Sequence, residues 1–169
     1  LYFYMNHTTC ESPTSVNKKK VYWSVPNNEN SDEYLNKYNI KSPNKRKVTD
    51  INKSNSIKAE LDKRAIQNTI LTGKWIIYAE PEKVDAMWNE ICSLIAENKI
   101  WFAKASTKWS RINQGYDKHV IIVYTPNYID KDDVFRVRKL LKNNCNITRE
   151  LKYKPDYYTE LGIYPDTAN

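Results

Sequence analysis

The sequence predicts one α+β domain that begins near Thr72 and follows a polar, basic N-terminal arm. Asn, Lys and Ser dominate the chain up to Leu71, whereas Ile, Val, Trp and Tyr dominate the rest. In the second part, short apolar runs of strand length alternate with longer stretches of helical periodicity. We therefore place the arm at residues 1–54 and a single domain at residues 55–169.

The charge of the chain is concentrated in its first part. The formal net charge is +7, and residues 1–72 hold 12 basic and 7 acidic residues, which leaves +5 there. A basic arm suits a polyanionic partner, although solubility is an equally simple explanation. Since the arm is too polar to fold alone, we expect its own domain or a partner protein to hold it. Its cluster at residues 41–47 is similar to short nuclear-import or nucleic-acid patches.

Composition excludes several classes of protein. Three cysteines without a CxxC pair disfavour a structural zinc site, and no metal or cofactor is expected. The odd number of cysteines favours a reducing compartment, so we expect an intracellular, cytoplasmic or nuclear protein. No apolar run is long enough for a membrane span. With three glycines, neither a P-loop nor a Rossmann fingerprint is present.

The elements follow from periodicity and from Gly and Pro positions. A narrow apolar stripe predicts a helix at residues 56–71. Thr72-Gly73 is expected to end this helix, with Gly73 in the left-handed C-cap conformation. A continuous apolar run predicts a core strand at residues 119–125, and Asp130 or Asp132 is expected to cap the next helix. The predicted helices are 56–71, 80–98 and 130–144, and the predicted strands are 74–79, 101–107, 119–125 and 149–154. A loop is predicted at 108–118 and an aromatic tail at 157–164.

Six blocks of this sequence resemble the basophilic-leukaemia-expressed protein family, a domain of unknown function. They agree with the family in order and spacing over about residues 72–165. The blocks are Gly73-Lys-Trp-Ile-Ile-Tyr, Val84-Asp-Ala-Met-Trp88, Ala103-Lys-Ala-Ser-Thr107, His119-Val-Ile-Ile-Val-Tyr-Thr125, Asp132-Asp-Val-Phe-Arg-Val-Arg138 and Tyr153-Lys-Pro-Asp156.

The resemblance implies a fold like that of the messenger-RNA cap-binding translation initiation factor, a curved antiparallel sheet backed by helices. Bacterial members of the family are often labelled phosphothreonine lyases, which implies a β-elimination of phosphate. The cap-binding factor holds its ligand between two tryptophans, and no motif of this sequence matches them. Cap binding is therefore not carried over, because fold analogy alone does not establish function.

Lys104 and His119 are the two candidates for chemistry. Lys104 is predicted in the middle of a strand between two alanines, where a sheltered ammonium must find a partner or lose its proton. It is a candidate anion ligand or general base, and the alternative is a lysine that extends from the sheet to water. His119 opens a core strand, where a hydrogen-bonded structural role is the commoner outcome. In a lyase it would protonate the departing phosphate.

The remaining candidate ligands are basic side chains and one tryptophan. Arg136 and Arg138 lie on the polar side of one predicted helix, where arginine forks suit phosphate or carboxylate, although a solvated basic helix face is the commoner outcome. Trp109 is the best candidate for an exposed stacking platform, since it lies in a polar loop, whereas Trp75 and Trp88 fit core positions. The predicted phosphate or ligand site comprises Lys104, Lys108, Trp109, Arg111, Arg136, Arg138 and Lys154.

Three functions compete on these observations. The first is a binding module for a phosphate-bearing ligand, RNA or a nucleotide. The second is a phosphothreonine-lyase-like enzyme that uses Lys104 as base and His119 as acid. The third is a structural subunit of a ribonucleoprotein or other large assembly, which would order the arm.

Overall fold

A six-stranded sheet backed by helices forms the centre of the computed structural model, which describes residues 7–9, 11–26, 31–40 and 56–162. The strands lie in the order β1-β2-β4-β5-β3-β6, and β1 pairs parallel with β2 while every other described pair is antiparallel. The strands are β1 (His7–Thr9), β2 (Trp23–Val25), β3 (Gly73–Ala79), β4 (Phe102–Ser106), β5 (His119–Thr125) and β6 (Lys152–Pro155). The predicted α+β class with an antiparallel sheet is confirmed.

Six helices accompany the sheet in the described part of the chain. They are α1 (Ser31–Lys37), α2 (Ser56–Gln67), α3 (Pro81–Ala96), α4 (Lys108–Asn113), α5 (Lys131–Asn144) and α6 (Asp156–Glu160). Helices α3 and α5 pack on one face of the sheet, where their apolar stripes meet the inward side chains of the central strands. Helix α2 packs in a second apolar cluster with Tyr128, Tyr157 and Tyr158.

Alternation along the central strands decides which side chains enter the core. In β3 the side chains of Trp75 and Ile77 are buried, and in β5 those of Ile121 and Val123 are buried. Trp75 also donates its indole N–H to the Val134 carbonyl in α5, at 3.1 Å. Burying this much apolar surface is the main stabilising term. The predicted core positions of Trp75 and Trp88 are confirmed.

The described part of the arm is held by its own domain. Strand β2 pairs antiparallel with β4, so it extends the sheet beyond the predicted domain. The backbone amide of Lys108 donates to the Pro13 carbonyl at 2.8 Å, and that of Trp109 donates to the Val16 carbonyl at 3.1 Å. Because these contacts satisfy backbone groups of both partners, the segment is ordered despite its polarity.

Two expectations near Gly73 and α4 were wrong. Helix α2 ends at Gln67, and Thr69 rather than Gly73 takes the left-handed conformation after it, with φ 55°. Gly73 begins β3, where a Cβ would clash with the Tyr153 hydroxyl oxygen, so glycine is needed for close approach. The predicted loop at 108–118 contains α4, because the Thr107 side chain accepts from the Ser110 amide at 3.1 Å and caps it.

The chain end also differs from the expected pattern. Strand β6 runs from Lys152 to Pro155, whereas the sequence placed its start at Arg149. The aromatic tail expected at 157–164 begins inside helix α6, in which Tyr157 and Tyr158 are buried. Residues 163–169 and the basic cluster at 41–47 lie outside the described part of the chain.

Candidate functional site

Four lysines share the face of the sheet opposite α3 and α5. The pairing register sets Lys154 beside Lys74, Lys74 beside Tyr124, and Tyr124 beside Phe102, all on this face. The next row on the same face runs from Lys152 through Ile76 and Ile122 to Lys104. We call this surface the lysine face; its side chains are Lys74, Ile76, Phe102, Lys104, Ile122, Tyr124, Lys152 and Lys154, and Trp23 of β2 lies on the same face.

Lys104 lies half-buried between two aromatic rings on the lysine face. Its Nζ is 4.0 Å from the centroid of the Trp23 ring and 5.8 Å from that of Tyr124. Among the described residues, no carboxylate lies within ion-pair distance of it. Burial lowers the pKa of Lys104, the positive charge of Lys74 lowers it further, and Asp156 partly offsets both. The ring contacts therefore stabilise a cation that has lost part of its hydration.

Lys154 and Lys74 are direct neighbours across the β6–β3 pair on the lysine face. Lys154 is 8% exposed, and burial followed by the charge of Lys74 lowers its pKa while Asp156 raises it. Lys74 donates to Asp156 at 2.7 Å, and the Thr72 hydroxyl donates to the other oxygen of that carboxylate, also at 2.7 Å. Asp156 is thus held by Lys74 and Thr72, while its charge acts on Lys104 and Lys154.

Among the described residues, positive side chains outnumber carboxylates on the lysine face. The lysines are Lys74, Lys104, Lys152 and Lys154, and Asp156 is the carboxylate that pairs with Lys74 and acts on the pKa of Lys104 and Lys154. Positive charge brought together in partly desolvated surroundings is favourable only if an anion or electron-rich groups compensate it. Trp23 and Tyr124 supply part of that compensation, and the arrangement is suited to accept an anionic group.

Lys108, Trp109 and Arg111 belong to α4 rather than to the lysine face. The Trp109 ring is half-buried and packs edge-on against Tyr22 at a centroid distance of 4.9 Å, so it is not the exposed platform that a loop position predicted. Arg111 donates from Nη1 to the Tyr116 carbonyl at 3.2 Å and closes the turn after α4. Lys108 is exposed.

Arg136 and Arg138 are engaged within the helix layer. Arg136 donates to the Lys99 carbonyl at 2.7 Å and to Asp133 at 2.9 Å, and it also donates to the Tyr34 hydroxyl in α1. Arg138 pairs with Glu150 at 2.8 Å. Both arginines are thus paired with a carboxylate, as one of the two sequence alternatives anticipated, and neither reaches the lysine face.

His119 lies on the helix-packed face of the sheet, opposite Lys104. Its side chain is fully buried, and its Nδ1 lies 2.7 Å from the Ser106 carbonyl. Burial lowers the pKa of His119, although the bond with Ser106 opposes this. An elimination with Lys104 as base and His119 as acid would require both groups at one substrate, and the sheet separates them.

Other surfaces of the described chain carry fewer features of a ligand site. A cleft of about 200 Å³ lies beside the end of β3 and is lined by residues that include Tyr78, Lys83 and Arg149, but it contains neither Lys104 nor Lys154. The described residues hold no group of three or more His, Cys, Asp or Glu side chains that could hold a metal ion. No helix formed by the described residues is long and apolar enough to cross a membrane.

Sequence reasoning missed Trp23, Tyr124 and Lys74 as members of the site. Lys74 and Tyr124 had a detectable signal, because each alternates with inward residues of a predicted strand. Trp23 had none, since β2 is three residues long and forms by pairing with β4.

A comparison with protein families decides the membership of this chain. The family model described as basophilic leukemia-expressed protein Bles03 matches residues 20–162. The chain belongs to the Bles03 family. The match begins within the arm, well before residue 72, from which the six blocks were predicted to run, and it includes β2.

Among solved structures, this chain is similar to eIF4E-3 of C. elegans, solved in complex with the 4E-binding protein Mextli and a cap analog. The sequence identity is 16% and the TM-score 0.46, and the similarity covers 56% of each chain. The similar part of this chain thus spans little more than half of that protein.

Proposed function

We propose that this protein binds a phosphate-bearing ligand, RNA or a nucleotide, on the lysine face. One observation carries the proposal. The half-buried ammonium of Lys104 lies over the Trp23 ring, pairs with no described carboxylate, and is near the charge of Lys74. A phosphate would supply the missing negative charge and accept hydrogen bonds from these ammonium groups.

The aromatic side chains around the lysines favour a nucleotide over other phosphate esters. Trp23 and Tyr124 flank Lys104, and Phe102 lies 6.0 Å from Tyr124 between ring centroids. Rings beside cations are the combination that single-stranded RNA and nucleotides use, because bases stack while phosphates pair. The structural-subunit alternative is less favoured, because residues 11–26 contact their own domain.

Binding of single-stranded RNA and of nucleotides at low salt, measured by fluorescence anisotropy and calorimetry, tests the proposal. We expect Lys104→Met and Lys154→Met each to lower the affinity about tenfold or more, the usual loss for a charged hydrogen bond. Lys139→Met is the matched control, because Lys139 is exposed on α5 in the helix layer. It removes the same charge and should change the affinity less than about threefold.

The affinity should also fall as salt rises, because phosphate contacts release counterions. Thermal unfolding of each variant shows whether a loss of binding is a loss of fold. Absence of binding to every phosphate ligand at low salt would overturn the proposal, and so would an equal loss in Lys139→Met and in a folded Lys104→Met.

A further inference from the structure

We infer that Trp23 sets the ligand specificity of the lysine face. The face prefers a nucleotide with a base that is free to stack, and it binds a bare phosphate or a sugar phosphate more weakly. The inference rests on the proposed phosphate site and adds the chemical class of what it takes. A free mononucleotide and a single strand share this chemistry, whereas a duplex hides its bases in the helix.

The position of Trp23 follows from the pairing of β2 with β4. Trp23 lies directly opposite Ser106, and Lys104 is two residues along β4 on the same face. Diagonal neighbours at this spacing are within reach of long and aromatic side chains. The Lys104 Nζ accordingly lies 4.0 Å from the Trp23 ring centroid, well within the reach of about 6 Å for a cation–π contact.

A phosphate must compete with the Trp23 ring for the same ammonium. When the Lys104 Nζ turns to donate to phosphate oxygens, its contact with the ring weakens, and that part of the ring loses its partner. Inorganic phosphate or a sugar phosphate has nothing to place on the ring. A nucleotide has a base, which can take the surface that the ammonium leaves. The exchange therefore favours ligands that carry a phosphate and a planar ring together.

Other aromatic side chains near the site are less suited to this role. The Trp109 ring packs edge-on against Tyr22, with an interplanar angle of 83°. Tyr124 is 5.8 Å from the ammonium and packs against Phe102. The described ring closest to the Lys104 ammonium is that of Trp23, which comes from the N-terminal segment.

The test compares adenosine 5′-monophosphate with ribose 5-phosphate, two ligands that share the phosphate and differ in the base. For the natural sequence we expect the nucleotide to bind roughly 5- to 150-fold more tightly, the range that stacking of one base on an aromatic side chain supplies. Trp23→Leu should reduce this ratio to near 1 and leave ribose 5-phosphate binding unchanged or slightly tighter. Trp23→Phe should keep part of the ratio, and Trp109→Leu should keep all of it.

A spectroscopic measurement checks the exchange directly. The ring current of Trp23 shifts the Lys104 side-chain signals in an NMR spectrum, and adenosine 5′-monophosphate should move them toward their ordinary positions. A short oligoadenylate that binds far more tightly than the mononucleotide would assign the site to single strands, and comparable affinities would assign it to free nucleotides.

The outcomes separate this inference from the proposed function. Equal affinities of the natural sequence for the nucleotide and the sugar phosphate would overturn the role of Trp23 and leave the phosphate site standing. Failure of every phosphate ligand to bind would overturn both. The preference for the nucleotide over the sugar phosphate could survive in a folded Trp23→Leu variant and disappear in Trp109→Leu. That result would assign stacking to α4 instead.

Discussion

Removing the Arg136 side chain should destabilise the protein far more than removing that of Arg138, two residues along the same helix. Arg136 joins α5 to α1 through Tyr34 and also contacts Asp133 and the Lys99 carbonyl. Its guanidinium lies 3.7 Å from the Tyr38 ring centroid. Arg136→Ala removes all of these contacts together.

The loss of stability in Arg136→Ala follows from the buried Asp133 carboxylate that remains without its cation. The Asp133 side chain is 3% exposed, and without Arg136 its carboxylate keeps the Tyr34 hydroxyl donor at 2.9 Å. Breaking a buried ion pair by removing one partner costs about 3–5 kcal/mol. Because the Arg136 side chain is 27% exposed, we expect the low end, about 3 kcal/mol. Arg138 pairs with Glu150, which is 81% exposed, so Arg138→Ala should cost about 0.5 kcal/mol.

Urea unfolding gives the two free energies, and hydrogen exchange gives their location. In Arg136→Ala the amides of residues 34–40 should exchange faster, because α1 loses its main polar attachment to α5. A loss below about 1 kcal/mol, or equal losses in the two variants, would refute the reasoning. A folded Arg136→Ala that lost nucleotide binding would instead support the phosphate-ligand role that the sequence predicted.

Three other changes have defined outcomes. Because burial and then Lys74 hold the pKa of Lys104 below 10.5, the folded protein binds this proton less tightly than the unfolded chain. Lys104→Met should therefore be at least as stable as the natural protein at pH 7 in urea unfolding, and any gain should shrink as the pH approaches 10.5. A clear loss of stability at pH 7 would contradict this. Gly73→Ala places a Cβ 2.6 Å from the Tyr153 Cζ and should cost about 1–3 kcal/mol or more, a loss that Tyr153→Leu should relieve in a double-mutant cycle. Asp85→Ala removes the carboxylate that accepts from the Thr14 amide, at 3.1 Å, and from the Thr14 hydroxyl. Proteolysis of the N-terminal segment should therefore be faster in this variant. An unchanged cleavage rate would show that this contact does not hold the segment.

The sequence predicted the central elements because their signals are local. The apolar stripe from Val84 to Ile95 repeats at the helical period, and α3 forms where that stripe lies. The run His119–Thr125 became β5 with both boundaries as predicted, since a continuous apolar segment between polar loops has few alternatives. Asp130 caps α5 by accepting from the Asp133 amide, as one of the two expected caps.

The arm was poorly predicted because its structure depends on distant partners. Residues 23–25 carry no long period, and they form a strand since the edge of β4 offers backbone groups to pair. Helix α1 is held to α5 by Tyr34, Asp133 and Arg136, which are far apart in sequence. Local propensity contains no information about either contact.

The candidate site divides in the same way. The sequence by itself determined that Lys104 occupies a sheltered strand position and that the chain carries excess positive charge. The tertiary structure decided which groups surround that ammonium, because the strand register brings Trp23, Lys74 and Lys154 to its face and leaves His119 on the other. Side chains alternate across a sheet with a period of two, so one residue of register would exchange the two faces. That register is fixed by the pairing of distant strands, and no local pattern specifies it.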